Sequence, residues 1–244
     1  MALIETSPPA SLWSRLVGRL ERFGRRFRPR FDWIAADVTD RCNLRCTFCG
    51  TDHSGRSGTV MDRTTFQRLC GLMPLVADGA CLLSCRFEPL LHPCLMDLIE
   101  SIPACSRRKV AFTTSLAMPL DDETIGRLGA SGIHHVNVSV ESLRADVYEA
   151  IRRGGRFAGF LDNLGRLAAR FAVPGAPRLR FITVVLQENV DELVSIVETC
   201  ATRYGGSHHE LRHVYEPLGA ARRGRRLRGH ARPGRYRLRP VHDR

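Results

Sequence analysis

The chain has almost no lysine, few aromatic residues and no long apolar segment. Lys109 is the one lysine among 37 basic residues, a bias that indicates a GC-rich coding sequence rather than selection for phosphate binding. Aromatic residues make up 7% of the chain, too few for the stacking platform of a single-stranded nucleic-acid binder. No apolar run reaches the roughly 18 residues of a membrane-spanning helix, and the first residues lack the basic start and apolar core of a secretion signal. We therefore expect a soluble, cytoplasmic protein without a transmembrane segment.

The net charge of +12 is concentrated at the two ends of the chain. Residues 1–30 contain seven Arg and two Glu, and residues 218–244 contain ten Arg and one Asp. The segment between them is close to neutral, so composition does not predict a basic catalytic face. We expect no nucleic-acid partner; an Arg-rich nucleic-acid-binding protein is the alternative if the cysteines described below are incidental.

Composition divides the chain into three segments. Residues 1–30 are predicted to form a basic amphipathic helix, because apolar side chains recur there at helical spacing between Arg residues. Residues 31–216 have the length of one large α/β domain. Residues 217–244 are rich in Gly and Arg and lose apolar periodicity, which predicts a disordered tail; a truncated or frameshifted remnant is the alternative. The apolar residues at helical spacing in residues 1–30 are Leu12, Leu16, Leu20, Phe23 and Phe27.

Short apolar runs alternate with helical patterns through the central segment. This alternation predicts a parallel sheet covered by helices, and six strand–helix units predict an open barrel rather than a closed eight-stranded one. Helix N-caps are predicted at Asp62, Asp121 and Asn189, the last in a capping box with Glu192. The predicted strands are 32–38, 80–85, 109–114, 134–140, 178–186 and 209–215; the predicted helices are 62–76, 94–102, 121–130, 157–172 and 189–203.

Three of the nine cysteines, Cys42, Cys46 and Cys49, follow the first predicted strand in one short loop. Their thiolates can serve one metal centre but leave the usual four-thiolate set one short. A cluster with a missing protein ligand has an iron free for chemistry, whereas a structural zinc site is closed. Two alternatives stay open: a zinc site completed by His53, and buried thiols that pack as small hydrophobes.

The C-x3-C-x2-C spacing, with Phe48 before the last Cys, resembles the signature of the radical S-adenosylmethionine (SAM) superfamily. The resemblance implies a [4Fe–4S] cluster on Cys42, Cys46 and Cys49, with Phe48 beside the cofactors and SAM on the open iron. It also implies reductive cleavage of SAM to a 5′-deoxyadenosyl radical that abstracts hydrogen from a substrate. A partial (β/α)6 TIM-like barrel is the implied fold, and an electron donor such as flavodoxin or ferredoxin is the implied partner.

Two later segments extend the resemblance. The run from Arg86 to Pro93 is similar to Gly-Gly-Glu-Pro-Leu-Leu-His-Pro of the family, which implies that Glu88 accepts a hydrogen bond from the SAM amino group. The run Val138-Ser139-Val140-Glu141-Ser142 resembles Val-Ser-Leu-Asp-Gly. By this match Ser139 and Glu141 face polar groups of SAM, with Glu141 at the ribose.

A fourth match leans toward one subgroup of the family. The run from Tyr148 to Gly155 resembles Tyr-x-x-Ile-Arg-x-Gly-Gly of peptide-modifying members, which implies that Arg152 pairs with the SAM carboxylate, since an Arg fork suits a carboxylate. The chain is accordingly expected to be SPASM-related but without the Cys-rich SPASM extension. Its substrate, a peptide or a small molecule, is not identified by the sequence.

Two departures from the family pattern bear on activity. Arg86 and Phe87 replace two glycines, and Thr114-Ser115-Leu116 stands where Thr-Asn-Gly is common. Bulky side chains restrict positive-φ geometry and close backbone approach. The alternative function is therefore a degenerate member that binds a cluster without turnover.

The remaining cysteines and the histidine pairs are predicted to be structural. Cys81 and Cys85 share one face of the second predicted strand, and core packing is favoured there over an auxiliary cluster that would also use Cys94 and Cys105. The pairs His134-His135 and His208-His209 fall on predicted strands, where neighbouring side chains point to opposite faces. Neither pair is expected to chelate one metal.

Overall fold

The computed structural model describes residues 31–51 and 57–213. Within them, six parallel strands form one sheet in the chain order β1 to β6, which confirms the predicted parallel α/β architecture. Since β1 and β6 stand at opposite ends of this order, the sheet is an open half-barrel over these residues. The strands are β1 (Ile34–Ala35), β2 (Cys81–Leu82), β3 (Val110–Thr114), β4 (His135–Ser139), β5 (Arg178–Val185) and β6 (His209–His213).

Seven helices alternate with the strands in the described part of the chain, and none of these helices has the length and apolar character needed to cross a bilayer. Two of the seven, α3 and α5, were not predicted. The proposed N-terminal helix of residues 1–30 and the tail of residues 217–244 lie outside the described residues. The helices are α1 (Arg63–Cys70), α2 (Leu95–Ser101), α3 (Ala104–Arg107), α4 (Asp122–Ala130), α5 (Ala145–Ile151), α6 (Phe157–Phe171) and α7 (Leu193–Thr202), and 3-10 turns span Met73–Leu75, Pro89–Leu91 and Val190–Glu192.

The first two strands are much shorter than predicted. Ile34 pairs with Cys81 and Ala35 with Leu82, and the Ala36 amide still donates to the Leu82 carbonyl at 2.9 Å. The chain then leaves the ladder, and the Asp37 side chain bonds to the loop that follows β2. The central strands match the prediction more closely, since β3, β4 and β5 pair over four and five residues.

The core lies between the outer face of the sheet and the helices. Phe112 and Phe181 project from β3 and β5, and Phe160 meets them from α6; all three are fully buried. The ring of Tyr148 in α5 stacks on Phe160 with centroids 4.8 Å apart. Each such side chain contributes roughly 1.5–3 kcal/mol through burial, so these contacts fix the helices against the strands that carry the site.

Two of the three predicted N-caps are confirmed. Asp62 accepts a hydrogen bond from the Thr65 backbone at 2.8 Å, and Asp121 accepts one from the Thr124 backbone at 2.7 Å. The capping box at Asn189 was wrong: its amide instead donates to the carbonyls of Glu141 at 2.7 Å and Val184 at 2.9 Å. A 3-10 turn precedes α7, so Asn189 is too far from the helix start to cap it and ties β5 to the chain after β4.

Candidate cofactor site

The three clustered cysteines lie in the loop after β1, at the carboxyl ends of the strands. Cys42, Cys46 and Cys49 are half-buried, and all three line one cavity of about 420 Å³. A volume of this size lies within the usual range for small-molecule sites. The predicted position of the loop at the C-terminal face of the barrel is therefore found in the structure.

Backbone hydrogen bonds hold the cysteine loop against the last residue of α5 and the segment that follows it. The Arg45 amide donates to the Arg153 carbonyl at 2.8 Å, and the Thr47 amide donates to the Ile151 carbonyl at 3.0 Å. Leu44, between the first two cysteines, is buried with 1% of its surface exposed. The loop is thus anchored on both sides of Cys46, which restricts where the thiols can point.

The protonation of Cys42 and Cys46 depends on burial and on the groups around them. Burial raises the pKa of Cys46 to about 11, and burial likewise raises the pKa of Cys42, while Arg152 opposes both shifts. A bound metal centre would overcome this effect, because a coordinating thiol is deprotonated outright.

The donor chemistry of the three thiols fits an iron–sulfur cluster. Among residues 31–51 and 57–213, no group of three His, Cys, Asp or Glu side chains is arranged to hold a single metal ion. Cys42, Cys46 and Cys49 line one cavity, and Cys thiolates are the usual ligands of iron–sulfur clusters, so these residues fit such a group. His53, proposed as a fourth zinc ligand, lies outside the described residues.

Glu88 is buried beside the cysteine loop, at the end of the loop after β2, with 3% of its surface exposed. Its carboxylate accepts four hydrogen bonds: from Thr114 Oγ1 at 2.7 Å, from the Ser115 amide at 2.7 Å and Oγ at 2.8 Å, and from the Leu90 amide at 3.2 Å. Burial raises the pKa of the Glu88 carboxyl above its usual value, and these bonds oppose that rise. Each oxygen already has two donors, so a new donor must replace one of the two hydroxyls.

Thr114 and Ser115 are site residues that the sequence did not identify. They stand in the segment where the family often has Thr-Asn-Gly, and both line the cavity. The next residue, Leu116, is fully buried and has a φ of 52°. A left-handed backbone costs a non-glycine residue roughly 1–2 kcal/mol. The Leu116 amide donates to Thr114 Oγ1 at 3.0 Å, and its carbonyl accepts from Asn163 at 3.0 Å, and these contacts hold the turn without glycine.

Arg152 and Glu141 form a buried ion pair behind the cysteine loop. The Arg152 Nε donates to Glu141 Oε2, with side-chain exposures of 8% for the arginine and 0% for the glutamate. The neighbouring carboxylate and the Cys46 sulfur outweigh burial and raise the pKa of Arg152. Arg152 lines the cavity, whereas Glu141 lies behind it. The proposed ribose contact of Glu141 stays a prediction, and the residue's observed partner is Arg152.

Arg152 also contacts two residues of the cysteine loop. Its Nη1 lies 3.5 Å from Cys46 Sγ, and its guanidinium carbon lies 5.2 Å from the centroid of the Phe48 ring. A cation over an aromatic face is attracted by the ring quadrupole. Phe48 and Ser139 both line the cavity, as does Arg152. The structure therefore brings these three predicted contacts together with the three cysteines.

The loop that replaces the two expected glycines needs no left-handed residue. Asp37 Oδ1 accepts from the consecutive backbone amides of Cys85 at 2.7 Å, Arg86 at 3.0 Å and Phe87 at 3.4 Å. Over the described residues, Leu116 is the one non-glycine residue with positive φ. The backbone at Arg86 and Phe87 therefore adopts no conformation that requires glycine. Both side chains line the cavity.

The core position predicted for Cys85 was wrong. Cys85 is exposed and lines the cavity, and β2 already ends at Leu82. His134 precedes β4, so its placement on a strand was also wrong, but the pair is hydrogen-bonded, with 2.8 Å between the two Nδ1 atoms of His134 and His135. That this pair chelates no metal stays a prediction. Burial and the nearby Arg180 lower the pKa of His135 to about 3. Cys81 is buried as predicted, while Cys94 and Cys105 are exposed.

A model of the protein family described as the Radical SAM superfamily matches residues 37–200. Among curated proteins, GTP 3′,8-cyclase of Streptomyces coelicolor is 32% identical over 142 residues, covering 57% of this chain and 41% of that protein. GTP 3′,8-cyclase of Geobacter sulfurreducens is 31% identical over 168 residues, covering 64% of this chain and 47% of that protein. The chain thus spans less than half the length of these two relatives.

Solved structures show the same architecture. Streptococcus suis SuiB bound to precursor peptide SuiA aligns with a TM-score of 0.61 at 15% identity, covering 88% of this chain and 47% of that one. The protein anSMEcpe with bound AdoMet aligns with a TM-score of 0.58 at 16% identity, covering 78% of this chain and 51% of that one. These likenesses confirm the half-barrel fold, and the peptide-modifying subgroup stays a prediction.

Proposed function

Since the chain belongs to the radical SAM superfamily, we propose that it is an enzyme whose [4Fe–4S] cluster and SAM act together in hydrogen abstraction from a substrate. When bound, the two cofactors supply one-electron cleavage of the sulfonium to methionine and a 5′-deoxyadenosyl radical. The residues of this chain would bind, orient and shield them.

One observation carries this proposal: three half-buried thiols open into the same cavity as Glu88, Ser139 and Arg152. Cys42, Cys46 and Cys49 would hold three irons of the cluster. The fourth iron would receive no thiolate from this loop. SAM would bind in the cavity, next to that iron.

Arg152 has two roles in this arrangement. Its Nη1 faces Cys46 Sγ, so it would stabilise the thiolate form of that ligand. Its ion pair with Glu141 holds the guanidinium in place, because a buried charge is retained only where a partner compensates it. The proposed contact of Arg152 with the SAM carboxylate would use the remaining Nη2 group.

Glu88 would receive the SAM amino group by exchange of donors. The Ser115 hydroxyl now donates to Glu88 Oε2 at 2.8 Å, and a hydroxyl can rotate to other acceptors. The SAM amino group would take the place of that hydroxyl as a donor to the same carboxylate oxygen.

We propose a small-molecule substrate rather than a peptide. The relatives of about 30% identity are named for a reaction of GTP, whereas the likeness to a peptide-bound structure is at 15% identity. The cavity also carries the exposed Arg86, a cation that suits an anionic small molecule such as a nucleotide; Arg212 lines it as well, paired with Glu210 at 2.7 Å.

We further propose a reducing compartment, the cytoplasm, and a protein electron donor such as flavodoxin or ferredoxin. All nine cysteines lie in the described residues and none forms a disulfide, which fits a reducing environment. An iron without a protein ligand would also be exposed to oxygen at the cavity mouth.

The test is reductive SAM cleavage by protein that has been reconstituted with iron and sulfide under anaerobic conditions. Incubation with dithionite and SAM should yield 5′-deoxyadenosine, and the electron paramagnetic resonance spectrum of the reduced cluster should change when SAM is added. Cys46→Ala should lose both effects and most of the iron. Cys105→Ala is the matched control, since Cys105 is exposed on α3, and it should retain both.

Each alternative has its own outcome. Bound zinc without inorganic sulfide in oxygen-protected protein would contradict the cluster. A normal cluster spectrum without 5′-deoxyadenosine would identify a member that binds a cluster without turnover. Salt-dependent RNA affinity that survives Cys46→Ala but disappears on removal of residues 218–244 would identify a nucleic-acid-binding protein.

A further inference from the structure

The guanidinium of Arg152 is held by three contacts behind the cysteine loop. Its Nε donates to Glu141 Oε2, its Nη1 donates to Cys46 Sγ at 3.5 Å, and its carbon lies 5.2 Å from the centroid of the Phe48 ring. Arg152 directly follows α5 at the C-cap position, and its amide donates to the Tyr148 carbonyl at 2.7 Å. The backbone and the side chain of Arg152 are therefore both fixed in place.

The contact between Arg152 and Cys46 is shielded from water. The side chain of Arg152 is buried, that of Glu141 is fully buried, and Cys46 is half-buried. Salt screens such charges much less than it screens charges on the surface, and a hydrogen bond with an ionised partner is roughly twice as strong as a neutral one. The cation therefore acts on the Cys46 sulfur at short range and with little screening.

Stability alone does not account for two buried charges at this place. Replacing a buried ion pair with apolar residues of similar volume is often neutral or stabilising, so a fold that only needed packing here would gain nothing from the pair. The carboxylate of Glu141 engages the Nε of Arg152 and leaves Nη1 for Cys46 Sγ. The pair thus keeps a cation beside the sulfur of a proposed metal ligand.

A hydrogen bond to a ligating sulfur changes how readily an iron–sulfur cluster accepts an electron. Net charge, hydrogen bonds to the sulfurs and solvent exposure set the reduction potential of such clusters. Reduction adds one negative charge, so a cation that donates to one of the sulfurs stabilises the reduced form more than the oxidised form. Arg152 has the position and the charge to act in this way through Cys46.

We propose that Arg152 is a positioning residue that acts through Cys46 to raise the reduction potential of the bound cluster, and that Glu141 holds the guanidinium in place for this role. The inference rests on the proposed function, because it requires the cluster on Cys42, Cys46 and Cys49. In the redox step the donor loses one electron and the cluster gains it, and no covalent bond forms or breaks. Arg152 stays charged throughout, so no proton moves at this residue.

The experiment is a potentiometric titration of the reconstituted full chain without SAM, followed by the electron paramagnetic resonance signal of the reduced cluster. At a fixed potential, Arg152→Met should lower the ratio of reduced to oxidised cluster about tenfold, which is a fall of about 59 mV in the midpoint of a one-electron couple. Arg152→Lys keeps the charge without the planar fork and should lower the midpoint by less than half as much. Because the contact is buried, both differences should persist from about 50 to about 500 mM KCl.

Two further variants complete the comparison. Arg144→Met is the matched control, because Arg144 stands at the other end of α5 and pairs with Asp146 on the exposed surface. It removes the same charge and should change the ratio less than twofold. Glu141→Leu/Arg152→Met leaves no buried charge unpaired, so it provides the measurement if Arg152→Met binds no iron. This double variant should lower the ratio at least threefold, because it also loses the hydrogen bond to Cys46 Sγ.

The reduction potential separates this inference from the proposed function. The expected shift without formation of 5′-deoxyadenosine would refute SAM cleavage and support the role of Arg152. Ratios within twofold of the unaltered protein in every variant that binds iron would refute that role, even if SAM is cleaved. A lower iron content in Arg152→Met with an unchanged midpoint would show a purely structural residue and also overturns the inference. An equal shift in Arg144→Met does the same, since the net charge of the protein would then set the potential.

Discussion

The buried ion pair of Glu141 and Arg152 should be a major determinant of stability as well as part of the site. Substituting Glu141→Gln keeps the side-chain shape but leaves Arg152 charged in a place where only 8% of its side chain is exposed. Breaking one partner of a buried pair costs roughly 3–5 kcal/mol, because it leaves an uncompensated charge. Glu141 Oε1 is already buried without a partner in the described structure, so the amide that replaces it gains no hydrogen bond there.

The assay is urea unfolding of the metal-free protein under reducing conditions. With a slope of about 2 kcal/mol/M for a domain of this size, a loss of about 4 kcal/mol lowers the unfolding midpoint by about 2 M. Asp146→Asn is the matched control, since it breaks an exposed ion pair with Arg144. The side chain of Arg144 is 61% exposed and that of Asp146 is 70% exposed. An exposed pair contributes less than about 1 kcal/mol, so this midpoint should move by less than about 0.5 M.

A double variant isolates the electrostatic part. Glu141→Leu combined with Arg152→Met removes both charges, and such replacements are often neutral or stabilising. It should therefore be more stable than Glu141→Gln, although it loses the contact of Arg152 with Cys46 Sγ. A midpoint shift in Glu141→Gln no larger than that in Asp146→Asn would refute a large contribution of this ion pair to stability, as would a double variant that is the least stable of the three.

Two further predictions concern pH and the loop after β2. The pKa of His135 is lowered to about 3 from about 6.5 in an unfolded chain, so the unfolded state binds a proton that the folded state does not. The free energy of unfolding should fall as pH falls from 6.5 toward 3, by up to about 1.4 kcal/mol per pH unit. The free energy of unfolding, measured with urea at pH 6.5 and 5.0, should change less between the two pH values in His135→Gln than in the unaltered protein. His208→Gln, which alters an exposed neighbour, is the control and should keep the original change. An equal change in His135→Gln and the unaltered protein would show that His135 is not the cause. Asp37→Ala should accelerate amide hydrogen exchange at residues 85–87, which mass spectrometry can follow, because Asp37 accepts from all three amides. The exposed Asp32→Ala is its control, and unchanged exchange at 85–87 in Asp37→Ala would show that the carboxylate does not hold the loop.

The sequence predicted features that depend on local spacing. Cys42, Cys46 and Cys49 fall within eight residues, and their loop lies at the carboxyl ends of the strands because it follows the first of them. The alternation of apolar runs and helical patterns likewise predicted a parallel sheet covered by helices, which the structure has. The predicted contacts of Glu88, Ser139 and Arg152 with SAM remain predictions, although the structure brings these side chains to one cavity.

Features that depend on long-range packing were not predictable in this way. The bonds of Thr114 and Ser115 to Glu88 join residues 26 and 27 positions apart, and they depend on the register between neighbouring strands. Asn189 resembled a helix cap, but its amide bonds to Glu141 across 48 positions. A polar side chain can satisfy a local or a distant backbone group, and the choice between them is made by tertiary contacts.

The loop held by Asp37 has a consequence for how such proteins are recognised. A turn that depends on glycine tolerates no other residue, whereas one anchored by a carboxylate 48 positions earlier in the chain leaves its own side chains unconstrained. Substitutions at Arg86 and Phe87 can then change which side chains line the cavity without breaking the backbone hydrogen bonds that hold the loop. A pattern that demands paired glycines ahead of the glutamate would therefore miss this chain, in which the carboxylate of Asp37 holds the same loop.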